Sequence, residues 1–422
     1  MLIMPGQVSV AIPATVTLPA GIEGDNCAVF LSMMALHTSL TPERRKLGHW
    51  INVHNRRLRA MLGGKYKVRI DEMRNARVVE VNALYSTGKE GVEPFTKSYR
   101  LAREHRSGKS RLHVLQSKPT RDKARKVYEI DEGNLRPAGM HYRQCFDLFR
   151  IDPAAGNDRR LGDHWYQWAI ARWLNGEEFS RLCEYGRYHC LATQLPRDAR
   201  GYVQTVTGEQ IAVVDVSACQ PLLLGILAAR GHDPQQATLL PYGARFLIRS
   251  APKDVQHWIE LCETRAIYRH FYQAVQSLPG PAFAAIQTAN GHSPIIDLKS
   301  LSENAFKRCT LIPVFDRTET MNRSVIFAVL RRDFPTIADF ITRVKKERHQ
   351  AMACVLQRFE SQLMIDDVGT YLRDHHRDEP VQPIHDALLV RQGFADTAAG
   401  IIKDSFARLG VDANVKITVA RN

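Results

Sequence analysis

Two short apolar segments, 171 residues apart, each contain one aspartate. The first runs from Ile211 to Asp215, and the second runs from Pro383 to Val390 and contains Asp386. Both are aliphatic runs of strand length, which indicates buried β-strands. Helical patterns dominate the chain between them, so a sheet that joins the two strands must accommodate a long helical insertion. The sequence therefore predicts a mixed α/β (α+β) fold.

The two aspartates are suited to chemistry on phosphates. A carboxylate on a buried strand is held rigidly, and a bound cation offsets the cost of its burial. Mg²⁺ prefers oxygen ligands, and two ions about 3.5–4 Å apart can stabilise the attacking and leaving oxygens of a displacement. The alternative is structural, because an aspartate at the end of a strand is commonly a turn former or a cap. The two segments alone leave both interpretations of Asp215 and Asp386 open, as catalytic metal ligands or as structural aspartates.

Positive charge is concentrated near the N-terminus. Residues 41–130 contain 23 Lys and Arg against 9 Asp and Glu, whereas the rest of the chain contains 35 of each kind. One-signed charge creates a field for a polyanion, and nucleic acid is the expected partner. Anionic lipid is less suitable, because the segment has no clear amphipathic basic helix. We predict a basic, nucleic-acid-gripping domain over residues 1–160 and a second domain over 161–422.

Composition narrows the class of protein. The 422 residues include eight cysteines without any Cys-x-x-Cys pair, which is typical of a reducing cytoplasm rather than a disulfide or zinc scaffold. A secretory signal is not apparent, and no apolar run approaches 18 residues, so neither secretion nor a membrane span is expected. The predicted elements are a strand within Gln7–Leu18, helices at Thr41–Met61, Asp163–Tyr185, 218–230, 254–277, 335–373 and Asp396–Leu409, and strands at Ala76–Leu84 and Asn414–Val419.

Four segments in order carry a resemblance. They are Gly186-Arg187-Tyr188-His189 with Leu195-Pro196-Arg197 and Arg200; Val213 to Gln220; Lys307 with Phe315; and Gln357 and Glu360-Ser361 with His385-Asp386. Their order and spacing over about residues 185–420 resemble the polymerase domain of the DNA polymerase I family (family A). They are more distantly similar to the single-subunit phage RNA polymerases. The resemblance implies a right-hand polymerase, with an antiparallel palm sheet and helical fingers inserted at about 225–375.

The resemblance also implies roles for individual residues. Asp215 and Asp386, with the carbonyl of Val216, would hold two Mg²⁺ ions, and Mn²⁺ is the alternative metal. Lys307 would contact the incoming triphosphate, where a positive charge neutralises developing negative charge, and Phe315 would stack on the nascent base pair. Contacts to primer or template are implied for Arg187, Arg200, Gln357 and His385.

The implied activity is template-directed nucleotidyl transfer, most simply by a DNA polymerase that extends a primer. Its partners would be a nucleic-acid template and primer, nucleoside triphosphates and other replication proteins, without a membrane. Chains of this build are associated with mobile elements such as phages and plasmids.

The chain departs from the family pattern at several positions. Glu303 replaces an arginine of the fingers helix, Asp316 replaces a glycine, and Pro313 interrupts the helix before Phe315. The triphosphate role could therefore pass to Arg317, Arg323, Arg331 or Arg332. Ala387 replaces the glutamate that usually ends the hairpin motif. Gln220 replaces a glutamate that blocks the ribose 2′-hydroxyl in the DNA polymerases; its equal bulk favours deoxynucleotides, and its neutral amide favours weaker rejection of ribonucleotides.

Three other functions remain open from the residues alone. An RNA polymerase or primase could use the same palm. A replication initiator or DNA-binding protein could retain the basic region on an inert scaffold. A metal phosphohydrolase of the HD type could use His375, His376, His385 and Asp386, but those enzymes place His-Asp on a helix, whereas Pro383 and the aliphatic run favour a strand here.

Overall fold

The fold was analysed in a computed structural model, which describes residues 8–38, 50–84, 96–106, 110–127, 135–161, 164–174, 176, 180–183, 186–230, 248–285 and 295–420. The chain is a mixed helix and sheet protein with small antiparallel sheets. Within these residues, no helix is long and apolar enough to cross a membrane. The predicted α+β class is confirmed at this level.

A four-stranded antiparallel sheet, here called the central sheet, contains the first aspartate. Its strands lie in the order Val381–Ile384, Ala387–Arg391, Ile211–Val216 and Val415–Val419. The strand Ile211–Val216 is therefore internal, and its aliphatic side chains are largely buried. The helix Ala395–Arg408 packs against three strands of this sheet. Strands that are 171 residues apart in sequence thus become neighbours in one sheet.

The predicted strand around Asp386 is wrong in one respect. The run Pro383–Val390 is not one strand but a hairpin, in which His385 and Asp386 form the two-residue turn between paired Ile384 and Ala387. His385 has φ of +59°, and a left-handed residue cannot continue an extended strand. Aliphatic composition alone could not distinguish one strand from two short ones.

The segment between the aspartate strands is mainly helical, as predicted. The predicted helix 254–277 is divided by a turn at Arg265, whose φ is +63°. The predicted helix 335–373 is divided into several segments, one of them a π-helix. The helices here are Cys219–Arg230, Lys253–Glu263, Ile267–Gln276, Glu303–Phe306, Ile312–Phe315, Thr318–Arg323, Val325–Asp333, Pro335–Val344, Ala351–Ser361, Gln362–Val368 (π) and Gly369–His375, with 3₁₀ turns at Leu298–Ser300 and Cys309–Leu311 and a hairpin of Phe283–Ala285 with Ile295–Asp297.

The N-terminal part has a hydrophobic core of its own. Buried side chains from Val8 to Leu115 form one cluster, whereas Ala11 and residues from Ala138 to Ala413 form a second, larger one. Tyr142 and Phe146, which lie before the predicted boundary at 160, belong to the larger cluster. The described helices of this part are Gly21–Thr38, Asn55–Leu62, Tyr66–Asn75, Lys118–Val127, Pro137–Phe146, His164–Leu174 and Leu191–Gln194, with strands Ser9–Pro13, Ile51–Asn52, Val79–Asn82, Ser98–Leu101, Ser110–Val114, Phe149–Ile151, Ser180–Leu182, Tyr188–Cys190 and Val203–Thr205.

Several predicted N-terminal features differ in extent. The helix predicted at Thr41–Met61 falls partly outside the described residues, and what is described there is the strand Ile51–Asn52 followed by the helix Asn55–Leu62. The helix predicted at Asp163–Tyr185 ends earlier, at Leu174. Within the basic segment 41–130, the cationic residues Arg44, Arg45, Lys46 and Lys109 also lie outside the described residues. The predicted domain boundary at residue 160 stays a prediction.

Candidate active site

Backbone pairing brings the two aspartates to the same end of the central sheet. Asp215 pairs with Ala387 across the sheet. The amide of Val216 donates to the carbonyl oxygen of Asp386 at 3.3 Å. Because Asp215 lies near the end of its strand and Asp386 lies in the adjoining hairpin turn, a strand end and a turn together place both carboxylates at one edge.

A tight turn after Val216 returns the chain toward these carboxylates. The amide of Ser217 donates to the carbonyl of Asn414 at 2.8 Å, which ties the turn to the neighbouring strand. Ala218 has φ of +54°, and the buried helix Cys219–Arg230 begins at the next residue. Gln220 therefore lies in the first turn of a fixed helix, close to the strand end that carries Asp215.

Both aspartates line a polar cavity of about 730 Å³. Its positively charged side chains come from three parts of the chain that are far apart in sequence. Its lining residues are Asp215, Val216, Ser217, Ala218, Cys219, Gln220, Thr264, Arg265, Ala266, Tyr268, Arg269, Glu303, Lys307, Leu311, Asp386 and Lys416. Carboxylates thus meet cations in a space of the size that small-molecule ligands occupy.

The carboxyl group of Asp386 is destabilised in its charged form. Burial raises its pKa to about 7, and the nearby carboxylates of Glu360 and Asp215 contribute to the same shift. Burial also raises the pKa of Asp215, and the positive charges of Arg200 and Lys416 oppose that rise. Both effects follow from placing several negative charges in a poorly hydrated space. A cation bound between the two aspartates would relieve this repulsion.

Glu360 is a third carboxylate beside the aspartates. It is only 2% exposed, and Arg187 donates from Nε and Nη2 to its two oxygens at 2.9 and 3.0 Å. The side-chain amide of Gln220 also donates to Glu360. Burial raises the pKa of Glu360, while Arg187 lowers it. Because Arg187 is already committed to this pair, its predicted contact to nucleic acid would have to use its remaining N–H donors.

Arg200 lies close to both aspartates, and His385 lies in the same hairpin turn as Asp386. The charges of Asp215 and Asp386 both act on Arg200, whose pKa is lowered by burial. Burial and neighbouring arginines lower the pKa of His385 to about 4, so its imidazole is neutral near pH 7. His189 lies against it, with ring centroids 6.1 Å apart. The Nε atom of Arg200 and the Nδ1 atom of His385 are buried without a hydrogen-bond partner among the described residues.

Lys307 also lines the cavity, although not from the interior of a helix. It follows the short helix Glu303–Phe306, and its side chain is exposed. The Nζ atom lies 5.8 Å from the centre of the Tyr268 ring, which is within cation–π range. Arg265 and Arg269 line the same cavity and contribute two more exposed positive charges, of which Arg269 lies 3.6 Å from the carboxylate of Glu303. This cluster is suited to an anionic ligand such as a triphosphate.

Phe315 lies outside this cavity and is 39% exposed. Pro313 does interrupt the helical segment, which is divided between Cys309–Leu311 and Ile312–Phe315. Lys345, itself 2% exposed, donates to the carbonyls of Pro313 and Asp316 at 2.9 and 2.6 Å. The buried ammonium group of Lys345 therefore anchors the main chain on both sides of Phe315.

The remaining predicted residues lie around this site or outside it. Gln357 is half-buried on the helix Ala351–Ser361, one turn before Glu360. The alternative triphosphate ligands Arg317, Arg323, Arg331 and Arg332 are exposed but do not line the cavity.

Sequence reasoning missed four residues near the aspartates, namely Glu360, Lys416, Arg265 and Arg269. Glu360 lies within one of the four segments that carry the resemblance, but the sequence pattern gave it no role. Lys416 faces Asp215 across the sheet as its register partner, which only strand pairing reveals. Arg265 is itself the unpredicted break, and Arg269 lies in the helix Ile267–Gln276 that follows it, so no periodic pattern pointed to them.

The donor set fits a divalent metal ion in part. Within the described residues, no group of three or more His, Cys, Asp or Glu is arranged to hold a metal ion. The donors present are the carboxylates of Asp215 and Asp386, whose pKa values are raised, and the main-chain carbonyl oxygen of Val216. Mg²⁺ takes oxygen donors of this kind and usually retains several waters, so it does not need a third side chain. An ion held by Asp215 and Asp386 would supply the missing positive charge.

Comparison with known proteins adds little. No family model matches the chain, and no curated protein matches it in sequence. Among solved structures, the POL domain of Pol1 from M. smegmatis, in complex with DNA primer-template and dNTP, aligns at 13% identity with a TM-score of 0.33. The alignment covers 61% of this chain and 51% of that chain, so the chain spans about half of that structure. At this identity and TM-score the likeness assigns neither a family nor a function to this chain.

Proposed function

We propose that the protein is a nucleotidyltransferase that extends a primer on a nucleic-acid template, with Asp215 and Asp386 as shared metal ligands. The observation that carries the proposal is the convergence of these aspartates at a polar cavity where the pKa of Asp386 is raised to about 7. Buried like charges are costly and are retained where a cation or a reaction needs them. An inert scaffold has no physical need for them.

The residues around the aspartates support the same reaction. Mg²⁺, or Mn²⁺ in its place, would be held by Asp215, Asp386 and the carbonyl of Val216, and when bound it would stabilise charge on the phosphate oxygens. Lys307, Arg265 and Arg269 form the positive side of the cavity, where they would bind and orient a triphosphate. Phe315 lies outside the cavity, so its exposed ring would contact a base only where the nucleic acid extends beyond the cavity.

Positions next to the carboxylates are assigned to primer and template. Arg200 has a buried donor without a partner among the described residues, so a phosphate or base edge would satisfy it. His385, as a neutral imidazole, could accept or donate one hydrogen bond there. The basic region 41–130 would hold the nucleic acid beyond the cavity. The proposed architecture is therefore a palm-and-fingers polymerase with a basic N-terminal domain.

The alternatives differ in what supports them. The HD-type phosphohydrolase loses support because His385-Asp386 lies in a hairpin turn, while His375 stacks on Tyr371 and His376 lies near Phe394. An RNA polymerase or primase on the same palm keeps its support, because Gln220 is a neutral amide and would reject a ribose 2′-hydroxyl less strongly than a glutamate would. A non-catalytic initiator would leave the carboxylates unexplained.

Primer extension tests the proposal. A labelled primer–template should be extended with Mg²⁺ and dNTPs, with NTPs assayed in parallel. Asp215→Asn and Asp386→Asn keep the side-chain shape but remove the charge. Each should slow extension thousands-fold, which corresponds to a rise of several kcal/mol in the activation free energy.

Asp339→Asn, on the exposed face of the helix Pro335–Val344, is the matched control and should extend normally. Affinity for the primer–template should change little in all three variants. Wild-type extension rates in either active-site variant would end the proposal.

A further inference from the structure

A further cavity lies in the basic N-terminal part, far along the chain from both aspartates. It has a volume of about 720 Å³ and is lined by the helices Asn55–Leu62 and Tyr66–Asn75 and by the sheet that contains Val79–Asn82 and Ser98–Leu101. This size is within the range of about 300–1,000 Å³ that ligand sites typically have. Neither the carboxylate pair nor the predicted triphosphate cluster contributes to it.

The floor of this cavity is apolar. Val53, Leu58 and Ile70 are buried around it, together with the rings of Tyr66 and Tyr99. An apolar concave surface of this kind is suited to a flat, weakly hydrated group, because burying both removes apolar area from water. A nucleobase has such a face, whereas a phosphate or a sugar does not.

The rim of the cavity is positively charged. Lys67, Arg74 and Lys97 are exposed lining residues that come from a helix and from the chain entering a strand. Arg74 is paired with Asp71 at 3.1 Å, but the ion pairs of the described residues include no carboxylate partner for Lys67 or Lys97. Lys67 and Lys97 thus border the apolar floor without an ion-pair partner among the described residues, and the carboxylate of Asp71 on the same rim is paired with Arg74. Cations beside an apolar surface are suited to a base and its flanking phosphates.

We propose that this cavity binds one nucleotide of a single-stranded nucleic acid, with the base over the apolar floor and the flanking phosphates at Lys67 and Lys97. Single strands are favoured over duplex because paired, stacked bases cannot enter a concave apolar site. The inference rests on the proposed function only in taking a polynucleotide as the partner. It assigns that partner a second binding point, remote from the carboxylates.

Fluorescence polarisation with three labelled probes tests this site in the full chain. The probes are a thymidine 15-mer, an abasic 15-mer with the same number of phosphates, and a 15-base-pair duplex. The thymidine strand should bind at least tenfold more tightly than the abasic strand. Lys67→Glu/Lys97→Glu should weaken both single strands about tenfold or more, and the salt slope should fall by about 0.7 for each phosphate that the protein no longer neutralises.

Arg56→Glu/Arg57→Glu is the matched control. Both arginines are exposed on the helix Asn55–Leu62, do not line the cavity and give the same change in charge. This double variant should weaken binding only about threefold through general electrostatics. Ala83→Phe fills the mouth of the cavity from an exposed position and should abolish the preference for thymidine over abasic strand without changing the salt slope.

Three outcomes would overturn the site. They are equal reductions of affinity in the two charge-reversed variants, no preference for the thymidine strand in the wild type, and duplex binding at least as tight as single-strand binding. Circular dichroism and thermal melting confirm that each variant is folded. Primer extension on a preannealed substrate is measured separately. If the wild type extends primers and Lys67→Glu/Lys97→Glu binds single strands as the wild type does, the cavity alone is rejected. If the wild type extends no primer but Lys67→Glu/Lys97→Glu weakens single-strand binding as expected, the polymerase proposal alone is rejected.

Discussion

Arg187 and Glu360 form a two-bonded ion pair that joins residues 173 positions apart, with donor–acceptor distances of 2.9 and 3.0 Å. The pair lies beside Asp386, where Glu360 contributes negative charge and Arg187 contributes positive charge. It connects the segment that precedes the first aspartate strand with the helix Ala351–Ser361. The active-site carboxylates are therefore supported by a buried charge network that includes Gln220.

Breaking this pair should destabilise the fold. Arg187→Met leaves Glu360 buried without its cation, and the free energy of unfolding should fall by about 3–5 kcal/mol. Urea denaturation at pH 7 measures the change. Arg187→Met/Glu360→Met should recover most of the stability, because neither charge then remains buried. Arg160→Met removes an exposed partner of Asp158 and should change stability far less. Equal effects of the two single substitutions would contradict the buried pair.

Mg²⁺ should stabilise the folded protein through the aspartates. A ligand that binds only the folded state adds about 2.7 kcal/mol of stability at one hundred times its dissociation constant. Thermal melting with increasing MgCl₂ should show a rising Tm for wild type and for Asp339→Asn. The rise should be largely abolished in Asp215→Asn and Asp386→Asn. An equal rise in all four proteins would show that Mg²⁺ binds elsewhere.

Sugar selection should depend on Gln220. Its side chain has the bulk of glutamate and is held by Glu360, so it should obstruct a ribose 2′-hydroxyl, and deoxynucleotides should be preferred with appreciable ribonucleotide incorporation. Gln220→Ala should raise the ratio of kcat/KM for NTP to that for dNTP by about tenfold. Gln357→Ala, on a neighbouring helix, should leave this ratio unchanged. Comparable use of NTPs and dNTPs in the wild type, unaltered by Gln220→Ala, would favour the RNA polymerase or primase.

Lys345 should make stability depend on pH in the alkaline range. Burial lowers the pKa of Lys345 to about 8, below the ordinary lysine value of 10.5. Between these two pH values the unfolded chain binds more protons than the folded chain, so the free energy of unfolding should increase with pH. The contribution approaches about 3 kcal/mol near pH 10.5, since one pKa unit corresponds to 1.36 kcal/mol.

The difference between wild type and Lys345→Met isolates this contribution from other alkaline titrations. Urea denaturation between pH 7 and 10.5 should show a stability difference that changes with pH by up to about 3 kcal/mol. Lys346→Met, an exposed neighbour, should run parallel to the wild type. A difference between wild type and Lys345→Met that stays constant with pH would mean that Lys345 has an ordinary pKa in the folded state.

Elements with a local signal could be predicted without the structure. Aliphatic runs predicted the strand at Ile211–Val216, and helical periodicity predicted the helix that the structure has at Ala395–Arg408. The order and spacing of the segments that contain them also predicted Asp215 and Asp386 as a pair, and their role as metal ligands stays a prediction. The charge excess over residues 41–130 likewise needed no structure.

Contacts between residues that are distant in sequence could be seen only in the folded chain. The turn at His385-Asp386 depends on a positive φ that composition does not encode, and the pairing of Lys416 with Asp215 depends on strand register. Glu360 acquires its importance from Arg187 and Gln220, which approach it from positions 173 and 140 residues away. Hydrophobic periodicity reports which face of an element is buried, but pairing across a fold is set by packing and by the satisfaction of buried charges, which no local pattern contains.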